Sequence, residues 1–321
     1  MAYNTIGYFT NKNLPFHLSK NHESEDLMVN FLKASFDFDH NISIQEPRNT
    51  TKNPPQPLTT SGIQQVANNE MRISPKETMQ ICQKLYEGGY ITYMRTDCKT
   101  YSKEFLDKVK AYILSKYGDK YLAENIESLS ERSKDENTGN TVVAKGKSKK
   151  PDVPPAQEAH EAIRPTNISV SKLPDEFSSK ECRLYRIIWT TTVESCMAVA
   201  TYKSLAAKIS APESSEYKYT CEQNVFAGWK IVEGIEEDNK TYSYLLSLKN
   251  GKINYKKITS KATMKELKTH YTEAKLVQLL EQRGIGRPST FSSLIDKIQE
   301  RNYVKRTNIE GKTVRCVDIE L

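Results

Sequence analysis

The sequence predicts a multidomain α+β protein, with a mainly helical unit set between β-rich segments and further helices closing the chain. Three observations carry this reading. The chain has 321 residues, 37% of them hydrophobic, which is enough for two or three domains of ordinary size with real cores. Hydrophobic periodicity changes along it, from mixed to helical, then to alternating, then back to helical. The stretch 47–57 is rich in Pro, Asn and Thr, so it reads as a loop or boundary, with a new domain beginning near Pro54.

In chain order, a strand pattern surrounds Ile6-Gly7-Tyr8-Phe9. A helix from about Ser24 to Ser35 puts Leu27, Phe31 and Leu32 in register, and a second strand lies near Ile42-Ser43-Ile44. Ser74-Pro75-Lys76-Glu77 is a helix start, with Ser74 as N-cap, proline at N1 and glutamate at N3. Thr78, Cys82, Leu85 and Tyr86 make its expected buried stripe, and Gly88 its left-handed stop. Phe105, Leu106, Val109, Tyr112 and Ile113 predict another helix from about Ser102. Residues 129–155 are polar and lysine-rich, the composition of an exposed, mobile loop. Gly146-Lys147-Ser148 within them is not a phosphate loop, because that pattern needs glycine where Thr141 stands. Leu184, Ile187, Ile188 and Val193 predict a packed helix over 182–197, and alternation over 204–259 predicts a β-rich segment. Helical spacing returns in Leu276, Val277, Leu279 and Leu280 before Gly284, and in Phe291, Leu294, Ile295 and Ile298 after Ser289. The resulting divisions are 1–53, 54–200, 201–265 and 266–321.

Lysine and arginine number 47 against 40 aspartates and glutamates, a net charge of +7 that permits a nucleic-acid partner without requiring one. The six cysteines, at 82, 98, 182, 196, 221 and 316, form no Cys-x-x-Cys pair, which argues against zinc ribbons and for free thiols in a reducing compartment. No apolar run approaches the roughly 20 residues that span a bilayer. The expectation is a soluble intracellular protein, cytoplasmic or nuclear, without structural zinc.

Residues 90–97 read Tyr-Ile-Thr-Tyr-Met-Arg-Thr-Asp, directly after Gly88-Gly89. On a strand, Tyr93, Arg95 and Asp97 project to one side at steps of roughly 6.6 Å. A phenol of ordinary pKa, about 10, is a poor nucleophile at neutral pH; a guanidinium beside it favours the phenolate and can brace a phosphoryl transition state. Attack on a phosphodiester is the simplest chemistry this suits, although the same triplet also describes a half-buried tyrosine beside a surface ion pair. Gly284-Ile285-Gly286-Arg287-Pro288-Ser289 lies between two helices, where glycine backbone, a helix N-terminus, Arg287, Ser289 and Thr290 suit a phosphate or carboxylate, or else form an ordinary capped turn. His160 and Arg164 share a face if their segment is helical, with Pro165 ending it.

Four motifs in order, Ser61-Gly62-Ile63-Gln64-Gln65, the Tyr93 segment, Gln157-Glu158-Ala159-His160-Glu161-Ala162-Ile163-Arg164-Pro165-Thr166 and Gly284-Ile285-Gly286-Arg287-Pro288-Ser289-Thr290, resemble those of the type IA DNA topoisomerases. The resemblance spans nearly the whole chain. Departures are Cys98, where the family usually has serine, and Phe291, where it usually has tyrosine.

The resemblance implies a helical catalytic-tyrosine domain over 54–200, flanked by two segments of an arched β-rich domain and followed by the start of a helical DNA-binding domain. It makes Tyr93 the nucleophile, Arg95 and His160 its catalytic companions, and Asp97, Arg164, Arg287, Ser289, Thr290 and Gln64 DNA-binding residues. The implied reaction is ATP-independent: single-strand cleavage through a 5′-phosphotyrosyl link, strand passage and religation, relaxing negatively supercoiled DNA. Magnesium is expected, held in the family by a toprim domain whose acidic cluster this sequence lacks; Asp37-Phe38-Asp39 has no third acid at Asn41. The chain thus reads as a fragment, a split gene product, or a chain completed by a companion carrying that domain. Alternatives are a non-catalytic single-stranded DNA binder and a helix-hairpin-helix structural protein.

Overall fold

In the structure, a computed structural model describing residues 2–130, 161–234, 238–264, 269–310 and 318–321, the strands form one antiparallel sheet. Its members are β1 (Ala2–Tyr8), β2 (Pro15–Leu18), β3 (Asn41–Ile44), β4 (Arg48–Lys52), β5 (Ala200–Ser210), β6 (Glu216–Phe226), β7 (Gly251–Lys252), β8 (Lys257–Thr263) and β9 (Ile319–Glu320). They run in the order β7-β3-β5-β6-β2-β1-β8-β9, with β4 also pairing with β5. The central hairpin is the long β5–β6 pair, from Thr201 opposite Phe226 to Ser210 opposite Glu216. Strands from both ends of the sequence assemble around it, and β1 pairs with β8 along its whole length.

The helices are α1 (Glu25–Phe36), α2 (Thr60–Met71), α3 (Pro75–Glu87), α4 (Lys103–Lys116), α5 (Ser179–Ser195), α6 (Lys240–Ser247), α7 (Glu273–Gln282) and α8 (Phe291–Glu300). Met28, Phe31 and Leu32 of α1, with Tyr242 and Leu245 of α6, pack on the sheet against Phe16, Leu205, Ile209 and Tyr217. A second core belongs to α2–α5 and gathers Ile63, Leu85, Met94, Val109, Ile113, Ile188 and Trp189. A 3-10 turn, Gly228–Val232, sits where the two meet: the Trp229 indole donates to the Lys52 carbonyl at 3.0 Å and the Trp229 N–H to the Ala198 carbonyl at 2.9 Å. Gly228 has φ +52, and a Cβ there would lie 2.5 Å from the Val199 carbonyl, so this junction demands glycine.

Several sequence expectations change. Residues 48–52, read as loop, are β4; its Thr- and Lys-rich run is a strand because β5 offers an edge about 150 residues away, which local pattern does not register. The β-rich segment also contains α6, capped by Asn239, whose side chain accepts from the Thr241 and Tyr242 N–H groups. Leu27 and Tyr86 face outward, at 53% and 41% exposure, and Met28 fills the place expected of Leu27. The left-handed residue after α3 is Gly89, at φ +76, whereas Gly88 stays right-handed at φ −73. The lysine-rich stretch 129–155 lies almost wholly outside the described residues.

Candidate active site

Ser74 caps α3 by accepting from the Glu77 N–H at 3.2 Å, and the helix stops at the two glycines. The chain then enters the Tyr93 segment, which is extended but belongs to no strand, with a single bridge between Ile91 and Pro165. This corrects the strand expectation. Its backbone is satisfied by other groups. Thr60, in the first turn of α2 and wholly buried, donates its hydroxyl to the Met94 carbonyl at 2.7 Å and accepts from the Thr96 N–H at 2.8 Å. The Thr60 N–H donates to the Thr96 carbonyl at 2.9 Å. On the other side, the Thr92 N–H donates to the Arg164 carbonyl at 2.9 Å, and the Thr92 hydroxyl donates to the Ala162 carbonyl at 2.9 Å.

The expected alternation survives without the sheet. Met94, Thr96 and Cys98 point inward, at 0%, 2% and 7% exposure, so the intervening side chains point out. Tyr93 is 36% exposed, its ring lies edge-on to Tyr86 with centroids 5.3 Å apart, and Arg95 Nη1 donates to its phenol oxygen at 3.3 Å. Asp97 is exposed on the same side, and among the described residues it forms no ion pair with Arg95. Other tyrosines are poorer candidates. Burial pushes the phenols of Tyr101 and Tyr217 up, and that of Tyr185 up to about 12, which disfavours their phenolates.

Residues 161–165 are extended rather than helical, because Ile163 bridges Leu58 and Pro165 bridges Ile91; this overturns the helical face expected for His160 and Arg164. His160 lies outside the described residues. Arg164 is committed locally: Nε donates to Glu161 Oε2 at 2.8 Å, Nη2 to Oε1 at 2.6 Å, and Nη1 to the Pro165 carbonyl at 3.0 Å. Its guanidinium also stacks 3.8 Å from the centre of the Phe105 ring.

The glycine turn between α7 and α8 has Gly284 at φ +64 and Gly286 at φ +84. A Cβ on Gly286 would meet Leu294 Cδ1 at 2.8 Å, so the second glycine also permits close packing. The Thr290 hydroxyl accepts from the Arg287 N–H at 2.8 Å and closes the turn, while Arg287 and Ser289 are exposed. No hydrogen bond among the described residues joins this turn to the Tyr93 segment. Gln64 is fully buried in α2, with both side-chain polar atoms unpartnered. Thr60 and Thr92 were missed as site residues; the run Thr59-Thr60-Ser61 at a helix start was the available signal. No group of three or more His, Cys, Asp or Glu among the described residues could hold a metal ion.

A family model described as DNA topoisomerase matches residues 4–315. DNA topoisomerase 1 of Helicobacter pylori is 35% identical over 274 residues, covering 82% of this chain and 34% of the relative. The mimivirus DNA topoisomerase 1 type prokaryotic is 36% identical over 304 residues, covering 88% of this chain and 33% of the relative. Full-length topoisomerase I from Thermotoga maritima superposes with a TM-score of 0.69 at 25% identity, covering 95% of this chain and 48% of that one. Fold and match together define the class, a DNA topoisomerase. The chain belongs to that family's type IA branch, and it spans about a third of the length of these curated relatives.

Proposed function

We propose that this chain carries the nucleophile of a type IA DNA topoisomerase, and that Tyr93 forms a transient covalent link to single-stranded DNA. The observation that supports this most is the Arg95 guanidinium 3.3 Å from the oxygen of an exposed phenol, on a segment whose backbone is otherwise pinned. The Tyr93 oxygen attacks a backbone phosphorus, the bond from phosphorus to the 3′ oxygen breaks, and that oxygen leaves as a hydroxyl after taking up a proton. A phosphodiester replaces a phosphodiester, so the linkage is kept for religation and no nucleotide is hydrolysed. Arg95 braces the phosphoryl oxygens, and Thr60 and Thr92 hold the segment still. His160, Asp97, Arg287, Ser289 and Thr290 are proposed contacts to the strand. Arg164, already paired with Glu161, acts by fixing the neighbouring segment. Strand passage and relaxation of negative supercoils are proposed for the assembled enzyme, with 54–200 as its tyrosine domain, the flanking β-rich segments as its arch, and α7–α8 as the start of a DNA-binding domain. The magnesium implied by the resemblance finds no ligand set among the described residues.

The test is to incubate the chain with 3′-labelled single-stranded DNA, with and without magnesium, and denature it. Label on wild-type protein that is absent from Tyr93→Phe supports the reading. Salt-sensitive DNA binding with no covalent label under any condition would leave a single-stranded DNA binder without the reaction.

A further inference from the structure

The chain passes from the sheet into the α2–α5 core between β4 and α2, and returns to the sheet between α5 and β5. One residue ties the two passages together. Trp229, in the 3-10 turn Gly228–Val232, donates its indole N–H to the Lys52 carbonyl at the end of β4, at 3.0 Å, and its backbone N–H to the Ala198 carbonyl just before β5, at 2.9 Å. The turn seats this closely only because Gly228 has no side chain: a Cβ there would lie 2.5 Å from the Val199 carbonyl and 2.6 Å from that of Ala198. Trp229, Ile231 and Val232 then pack against the helical core, so the turn belongs to both sides of the junction.

The end of α5 packs against this turn, and it carries a buried acid. Glu194 is 6% exposed in the last turn of α5, and its Oε1 is fully buried without a hydrogen-bond partner. Its backbone carbonyl accepts from the Met197 N–H at 3.0 Å, which places it at the root of the passage into β5. The charged groups facing its carboxyl are Glu233 and Lys230 from the 3-10 turn and its cap, Glu70 of α2, and Arg186 further back on α5, whose guanidinium also lies over the Trp189 ring. The negative end of the α5 dipole adds to the two neighbouring acids. An unpaired acid in such a place is held neutral, and burial, with Glu233 next in effect, pushes this carboxyl up to about 8 from an ordinary 4.5.

We propose that Glu194 is a proton-dependent lock on the junction between the helical unit and the sheet: its neutral carboxyl lets the Gly228–Val232 turn seat against α5, and its ionisation unseats the turn and frees Trp229 from both passages. The seated state keeps the proton up to about pH 8, whereas an open state with a solvated Glu194 releases it near 4.5. The lock is therefore fully closed below the lower value, opens roughly tenfold more for each pH unit between the two, and levels off above the higher one. The inference does not depend on the reaction assigned to Tyr93; it concerns how the unit that carries Tyr93 is held on the sheet.

The full chain has two tryptophans, so isotopic labelling of the indole nitrogens gives two NMR signals. Both indoles are hydrogen-bonded, Trp229 to Lys52 at the junction and Trp189 to the Ile168 carbonyl at 2.8 Å inside the helical core. Their hydrogen exchange, divided by the intrinsic rate at each pH, is followed from about pH 6 to about pH 9 with and without low urea. Protection of Trp229 falls at least roughly tenfold between about pH 6 and 8 and less than about threefold above that, through an opening that low urea does not accelerate. Trp189 exchanges only through urea-sensitive unfolding of the whole core, a difference that a merely structural Glu194 would not produce. Glu194→Gln keeps the shape of the neutral carboxyl and abolishes the urea-insensitive fall. Glu233→Gln removes the neighbouring like charge, so the fall levels off at a lower pH. If Trp229 shares the protection and urea dependence of Trp189, the junction opens only with the whole molecule and the lock is refuted. A flat Trp229 profile in wild type, or a fall that persists in Glu194→Gln, refutes it as well. Wild type and Glu233→Gln decide the question alone if Glu194→Gln does not fold.

Discussion

Replacing Thr60 by valine keeps the shape of the side chain and removes its hydroxyl. In the native structure that oxygen accepts from the Thr96 N–H at 2.8 Å and donates to the Met94 carbonyl at 2.7 Å, in surroundings where Thr60 has 0% exposure. Both backbone groups lose their partner with no water to replace it. An orphaned buried group costs about 1–3 kcal/mol, so the pair predicts a loss of about 2–6 kcal/mol. Thr60→Ser keeps the hydroxyl and forfeits one methyl, worth about 1 kcal/mol. Urea unfolding followed by the fluorescence of Trp189, which belongs to the same helical core, measures the difference. With a slope of about 2 kcal/mol/M, the Thr60→Val midpoint falls by about 1–3 M, and the Thr60→Ser midpoint falls by at most half as much. The covalent label at Tyr93 falls with it, because the nucleophile segment is no longer pinned. A Thr60→Val midpoint within about 0.3 M of wild type would refute the claim that this hydroxyl takes the place of a neighbouring strand.

Arg164→Lys leaves a charge but forfeits the two-point pairing with Glu161 and the stacking on Phe105; it should cost about 1–2 kcal/mol in thermal unfolding. Burial, with Glu233 nearby, pushes the Glu194 carboxyl up to about 8 from an ordinary 4.5. The folded chain therefore holds a proton that the unfolded chain releases between those values, so stability falls as pH rises through that window and levels off above it. Glu194→Gln flattens the slope in pH-dependent urea titrations. His22 behaves oppositely: burial lowers its pKa against the opposing pull of Glu213, whose Oε2 lies 3.9 Å from Nε2, and neither ring nitrogen has a hydrogen bond, so acidification below about 6.5 charges the unfolded chain first and stability falls. His22→Phe removes that acid loss in the same titrations.

Much of the helical part was legible because its signals are local. Ser24, Ser74 and Thr272 each accept from a first-turn N–H, and the apolar registers of α3, α4 and α5 match the buried residues with one exception each, whereas of those expected in α7 only Val277 and in α8 only Phe291 and Ile295 are buried. What escaped depends on distant partners. β4 is a strand only because β5 returns beside it, and the two-residue β7 and β9 exist only as edges of the assembled sheet. The Tyr93 segment was expected to be a strand, since its inward and outward alternation is that of one. Its neighbours prove to be the hydroxyl of Thr60 and the residues 162–166, which supply hydrogen bonds without a ladder. The outward triplet was readable for the same reason, because alternation needs only an extended chain with one buried side. The pairing of Arg164 with Glu161 went unread: residues three apart meet on a helix, whereas here they pair within a non-helical segment whose course is set by the bridges to Leu58 and Ile91.

The central claim is that one phenol among 18 tyrosines becomes bonded to DNA. Tandem mass spectrometry of the denatured adduct, after nuclease digestion and proteolysis, locates the residual nucleotide directly. The account predicts nucleotide mass on Tyr93 alone, and none in Tyr93→Phe. Nucleotide on any other tyrosine, or an adduct that persists undiminished in Tyr93→Phe, would contradict it.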